Sequence, residues 1–177
     1  PADDDAVAAT LAQARDLLAL CELHYDDEDR FVHPALERVQ PGATEGIVEE
    51  HKEHYVALDE LRALAKVIDD SPAAARGTAL ARLYRALALY AAEDFEHMHF
   101  EDTEFNALLW RHYSDAELIR VHDELVASIP PEKMFLALRW MIPALNAPER
   151  AAVFIGARHG MPVEAFRAAL ALASQVL

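Results

Sequence analysis

The sequence predicts an all-α protein, and three observations carry this prediction. Apolar residues recur every three and four positions along nearly the whole chain, which is the period of an amphipathic helix. Alanine, leucine, glutamate and arginine are frequent, whereas there are only 5 glycines among 177 residues. The β-branched alternation of polar and apolar residues that marks a strand is almost absent.

Proline and capping residues divide the chain into helices. The first is predicted over about residues 6–32, where Pro34 is expected to kink or restart it because proline removes a backbone donor. Two further long helices are predicted over about 44–68 and 73–111, each after a short polar turn. Four shorter helices follow, and each begins at a capping residue or at a proline in the first helical turn, namely Ser114, Pro131, Pro148 and Pro162.

Charge is distributed unevenly between these helices. The chain has 31 acidic and 16 basic residues, a formal net charge of -15, and nearly all of the excess lies in residues 1–113. We therefore predict a bundle domain over 1–113 and a C-terminal helical extension over 114–177 that packs on it. The net negative field argues against nucleic-acid binding, because a polyanion would be repelled.

The compartment is predicted from what the sequence lacks. A single cysteine, Cys21, cannot form an internal disulfide, which favours a reducing cytoplasm. No apolar run approaches the roughly 20 residues that span a bilayer, and no secretory signal opens the chain. We therefore expect a cytoplasmic protein with no membrane partner.

Histidine and carboxylate pairs repeat in register on the long helices. His24 and Glu28 form one His-x-x-x-Glu pair, and His97 and Glu101 form a second, followed at once by Asp102. A spacing of four places both side chains of a pair on one helical face, one turn apart. An imidazole and a carboxylate in that arrangement can share a metal ion.

The middle helix adds two imidazoles, His51 and His54, three residues apart on nearly one face. Three helices therefore bring imidazoles and two bring carboxylates, which is how a helical bundle builds a dinuclear metal site in its core. Other histidines are not expected to join it. His33 lies nine residues after His24, hence on the opposite face of a regular helix, and is expected at a bundle end beside Pro34.

These motifs resemble those of the hemerythrin-like, or HHE cation-binding, proteins. The resemblance rests on His24-x-x-x-Glu28 continuing into Glu-Asp-Arg-Phe-Val-His-Pro-Ala-Leu, on Glu50-His51 followed by Leu58 and Leu61, and on His97-x-x-x-Glu101-Asp102. It implies an up-down four-helix bundle that holds two non-haem irons, with a C-terminal group of shorter helices. The metal ligands that it implies are His24, Glu28, His51, His97, and either Glu101 or Asp102.

The chain departs from the family pattern at two places. Residues 1–23 lack the histidine of the family's first bundle helix. If the helix that carries Glu28 is the second of the bundle, the first lies upstream of Pro1; otherwise the C-terminal helices take its place. Oxygen carriers also have a histidine where this chain has Tyr55, and His54, one residue earlier, is a distorted substitute.

The resemblance implies a carboxylate-bridged di-iron protein that binds or senses dioxygen, nitric oxide or iron, and not an established catalyst. A helical interaction module with a degenerate site, holding one zinc or no metal, is the alternative. A ferritin-like di-iron enzyme would need two Glu-x-x-His motifs, and only Glu96-x-x-His99 exists. A homodimer is a further expectation.

Overall fold

The computed structural model describes residues 3–177, so that Pro1 and Ala2 lie outside the described part of the chain. The described residues form helices joined by short turns and contain no strand, which confirms the all-α prediction. They divide into two compact units between Ser128 and Ile129.

The first unit is built from three long helical rods and one shorter helix. In chain order its elements are α1 (Asp4–Asp27), a first π-helix (Glu28–Val32), α2 (His33–Val39), α3 (Glu45–Asp70), α4 (Ala73–Phe100), a second π-helix (Glu101–Phe105), α5 (Asn106–His112) and α6 (Asp115–Ser128). Helix α3 packs against both α1 and α4, and α6 packs against the first π-helix. The three long helices predicted from the sequence correspond to these three rods. The first rod runs from α1 to α2, the second is α3, and the third runs from α4 to α5.

The core of the first unit lies between the three rods. Leu18 of α1, Leu58 of α3 and Tyr90 of α4 belong to one cluster of buried apolar side chains. A second cluster includes Leu36 of α2 and Phe105, the last residue of the second π-helix. Buried polar residues that were predicted from the sequence, among them His51, His97 and Glu101, lie between these two apolar clusters.

Each π-helix interrupts an otherwise continuous rod. In the first, the backbone N–H of His33 donates to the carbonyl of Glu28, five residues back instead of four. This wider turn lies directly before Pro34, whose ring cannot donate a hydrogen bond and would clash with a regular helical turn. The break expected at Pro34 therefore takes the form of a local widening of the helix.

The second unit consists of three helices of equal length, α7 (Pro131–Ala144), α8 (Ala147–Gly160) and α9 (Val163–Val176). Leu138 and Ile142 of α7 pack with Ala169 and Ala173 of α9 in a core of its own. Helix α6 belongs to the first unit, whereas the charge-based division assigns it to the C-terminal extension.

None of the described helices is both long enough and apolar enough to cross a membrane.

Candidate metal centre

Two imidazoles face one another between α3 and α4. The Nε2 atoms of His51 and His97 are 3.2 Å apart, and both side chains are almost fully buried. The Nδ1 atom of His51 lies 2.8 Å from Oδ1 of Asp29, and the Nδ1 atom of His97 lies 3.0 Å from Oε2 of Glu50. A carboxylate at Nδ1 fixes the proton there, so that each Nε2 presents a lone pair. Two facing lone pairs repel unless a cation lies between them.

Two buried glutamates stand beside these imidazoles. Glu28 Oε2 is 3.7 Å from His51 Nε2, and Glu101 Oε1 is 3.6 Å from His97 Nε2. The side chains of Glu28 and Glu101 are only 13% and 8% exposed, and one oxygen of each has no hydrogen-bond partner among the described residues. Burial, together with the charge of Glu101, raises the pKa of Glu28 well above its usual range. Burial also raises the pKa of Glu101.

The four side chains form one donor set for a cation. Each of Glu28, His51, His97 and Glu101 offers one ligand atom, and these atoms all lie within 4.8 Å of one another. Nitrogen and carboxylate oxygen donors suit iron and zinc. Without a cation the unpartnered oxygens and the facing nitrogens would be costly, because buried polar atoms need partners. These residues therefore fit a metal ion.

The two remaining histidines that were predicted as ligands, His54 and His24, both lie beside the cluster. His54 is buried and forms a further metal-compatible group with Glu50 and His97. His24 Nε2 lies 3.3 Å from Oε1 of Glu28 and 3.0 Å from the sulfur of Met98, but His24 belongs to none of the metal-compatible groups of the described residues.

Asp102 is exposed and likewise lies outside these groups. Of the two carboxylates that the sequence left open on the third rod, the structure brings Glu101 to the imidazoles.

The expectation for His33 is wrong. Its side chain is buried, and its ring stacks on that of His51 with the centroids 5.1 Å apart. In a regular helix His33 would lie about 180° from His24. The first π-helix takes up roughly one residue, so that the angle falls to about 80°.

A buried hydroxyl pair next to the centre was also not predicted. The hydroxyls of Tyr25 and Tyr90 are 2.6 Å apart, and Tyr25 donates to Oδ1 of Asp94 at 2.5 Å. The Tyr25 ring stacks on His54, with the centroids 5.3 Å apart. Tyr90, Asp94, His97 and Glu101 follow one another at spacings of four, three and four, and this helical stripe was the signal that could have identified them.

The helical rods and the buried histidine and glutamate cluster together define a metal-binding helical domain. A family model described as the hemerythrin HHE cation binding domain matches residues 2–109, and the chain belongs to this family. No curated protein and no solved structure matches the chain.

Proposed function

We propose that the chain holds two carboxylate-bridged iron ions at the cluster of Glu28, His51, His97 and Glu101, and that it binds or senses dioxygen or nitric oxide there. One observation carries the proposal: the Nε2 atoms of His51 and His97 face each other at 3.2 Å, beside two buried carboxylates with unpartnered oxygens. Four donors converge in this way where a cation is expected.

The charges of the cluster favour a bound cation. Glu28 and Glu101 together would bring two negative charges into a buried site, and isolated buried charges are strongly unfavourable. Each carboxylate has two oxygens, so that Glu28 and Glu101 would supply up to four oxygen donors, and His51 and His97 would supply one imidazole nitrogen each. His54 and His24 stand beside the cluster as additional nitrogen donors.

The surrounding side chains define how the site is reached. Ferrous ions bound there would supply electrons to dioxygen or coordinate nitric oxide. Tyr25, which is fully buried, closes the cluster on the side of the apolar core, and its hydroxyl donates a hydrogen bond to Asp94. The side chain of His24, which lies 3.3 Å from Glu28, is 36% exposed, so that water reaches one neighbour of the cluster. Because the four donors are buried, we expect a small diatomic molecule to be the ligand that reaches them.

Iron loading tests this proposal directly. Purified protein is stripped of metal, loaded with Fe²⁺ without oxygen and freed of unbound ions; we expect about two irons per chain. Exposure to dioxygen should then produce a near-ultraviolet band. His97→Ala should lower iron binding strongly, whereas His159→Ala, an exposed histidine of the second unit, should leave it unchanged. Less than about one iron per chain, with His97→Ala matching the wild type, would refute a di-iron centre.

A single zinc ion is the second candidate. The four cluster donors already lie within 4.8 Å of one another, and four nitrogen and oxygen donors are the number that a structural zinc takes. Under this alternative the protein as purified from cells would contain one zinc and no iron, and dioxygen would not change its spectrum. Metal analysis of the untreated protein separates the two candidates.

A further inference from the structure

His33 is a buried imidazole without a hydrogen bond. The residue is 4% exposed, and neither ring nitrogen has a hydrogen-bond partner among the described residues. Its Nδ1 atom lies 2.9 Å from Oδ1 of Asp29, but the two groups are not aligned for a hydrogen bond. Burying an imidazole in this way is costly, and binding a cation would offset the cost.

Asp29 joins His33 to the buried cluster. The same Oδ1 atom that lies 2.9 Å from His33 also lies 2.8 Å from Nδ1 of His51. The stacked rings of His33 and His51 thus turn one nitrogen each toward a shared carboxylate oxygen. The ligand atoms of all three residues lie within 4.8 Å of one another, on the side of His51 that faces away from His97.

We propose that Asp29, His33 and the Nδ1 atom of His51 form a second cation site for a divalent ion of the zinc type, next to the His51 and His97 cluster. Two imidazoles and one carboxylate are a donor set that binds zinc and leaves a further position for water. Bonds near 2.0 Å would set tetrahedral donors about 3.3 Å apart. Asp29 would then withdraw by about half an ångström from both imidazoles, and the stacked rings would tilt so that both nitrogen lone pairs point at the ion.

Binding at this site requires one proton to leave. In the metal-free protein the Nδ1 proton of His51 is held by Asp29. The N–H bond breaks, a bond from nitrogen to the ion forms, and the proton passes to solvent. His51 would serve this site through Nδ1 and the His51 and His97 cluster through Nε2. The site opens to water at Asp29, whose side chain is 40% exposed.

This inference goes beyond the proposed function, because only His51 is shared with the di-iron cluster. It makes His33 a ligand in its own right and makes Asp29 more than a support for His51. A purely structural His33 would instead leave metal binding untouched when it is replaced by an apolar ring of similar size.

Zinc counting in metal-free protein tests the second site. Equilibrium dialysis against Zn²⁺ should show one ion fewer per chain for His33→Phe than for the wild type. Metal-free His33→Phe should melt at the same temperature as the wild type or higher, because an apolar ring replaces an unpartnered polar one. Equal zinc counts in wild type and His33→Phe would overturn the proposal.

Two further measurements keep the test decisive. The central cluster is the group of Glu28, His51, His97 and Glu101. Glu101→Gln removes a donor of this cluster only, so it should lower iron loading but retain the zinc that depends on His33. A double variant with His33→Phe should then lose that zinc, even if the di-iron proposal itself fails. If His33→Phe does not fold, a zinc-soaked crystal of the wild type should show anomalous density between Asp29, His33 and His51. Density only at the central cluster would overturn the second site.

Discussion

Two carboxylates contact the Nδ1 atoms of the histidine rings and thereby determine that Nε2 faces the candidate metal centre. Asp29 holds Nδ1 of His51, and Glu50 holds Nδ1 of His97. Each fixes the ring in the orientation that leaves Nε2 free for a cation. Partners of this kind raise the basicity of a metal-bound imidazole and typically contribute 10- to 100-fold to metal affinity.

Glu50→Gln is therefore expected to weaken metal binding by about 10- to 100-fold, because the amide supports His97 without its negative charge. Competition for Zn²⁺ against a chelator of known affinity measures the change. Glu49→Gln is a matched control, since Glu49 is an exposed neighbour that pairs with Lys52 at the surface. Equal affinities for the two variants would show that Glu50 does not support the centre.

The sequence identified the residues of the central cluster better than their supports. Glu28, His51, His97 and Glu101 could be predicted, because their spacings place them on one face of each regular helical segment. The structure was needed to show that Glu101, and not Asp102, lies beside the imidazoles, since neighbours on a helix differ by about 100°.

At the scale of the elements, the turn between α2 and α3 depends on one carboxylate. Glu37 accepts hydrogen bonds from the backbone N–H of Gly42 and from both the N–H and the hydroxyl of Thr44. Gly42 has a φ of 85°, a left-handed conformation that glycine adopts readily, which fits the turn predicted at this position. The hydrogen bonds from Thr44 and then Gly42 lower the pKa of Glu37.

A lowered pKa makes this turn sensitive to acid. Ionised Glu37 stabilises the folded state above its ordinary pKa of 4.5, and this contribution is lost as the pH falls through the lower pKa of the folded protein. Metal-free Glu37→Gln should therefore unfold at lower urea concentration than the wild type at neutral pH, and the two should converge below pH 4.5. Glu53→Gln, an exposed site on α3, provides the reference. A difference that stays constant with pH would contradict this role.

Helix positions were predictable because prolines and capping residues mark the helix ends. The π-helices could not be predicted, since apolar periodicity marks a helix only where each turn has about 3.6 residues. Pro34 gave a signal for the first, whereas no proline follows the second over Glu101–Phe105. The error at His33 came from this source, and its burial follows from the extra residue in the turn before it.

At the scale of the whole molecule, every metal-compatible group of the described residues lies in the first unit. The second unit has its own core around Ile142, which is fully buried. We expect Ile142→Ala to reduce the unfolding free energy of the second unit by about 2–5 kcal/mol through the cavity that it leaves. Metal binding should be unchanged.

The two tryptophans allow the units to be followed separately. Trp140 lies in α7 of the second unit and Trp110 in α5 of the first, so that Trp110→Phe leaves a fluorescence signal from the second unit alone. Urea titration in that background should show the effect of Ile142→Ala, and Ile155→Ala, at an exposed position of α8, should have little effect. Loss of metal binding in Ile142→Ala would show that the units depend on each other.

The charge pattern predicted a division of the chain near Ser114, while the packing divides it after Ser128. Charge reports mainly on which side chains face water, whereas the units are set by which helices share buried contacts. Helix α6 carries four acidic residues and one basic residue, so its charge resembles that of the first unit, and it packs on the first π-helix. The near-neutral total of residues 114–177 hid this local acidity.

Each glutamate of the central cluster is the first residue of a π-helix, Glu28 in one rod and Glu101 in the other. A π-turn contains one residue more than the helix around it requires. Deleting a single residue there would shorten the wide turn to an ordinary one and leave the rod unbroken, whereas the same deletion elsewhere would rotate the side chains that follow it by about 100°. The two places next to the cluster are thus where these rods tolerate a change in length.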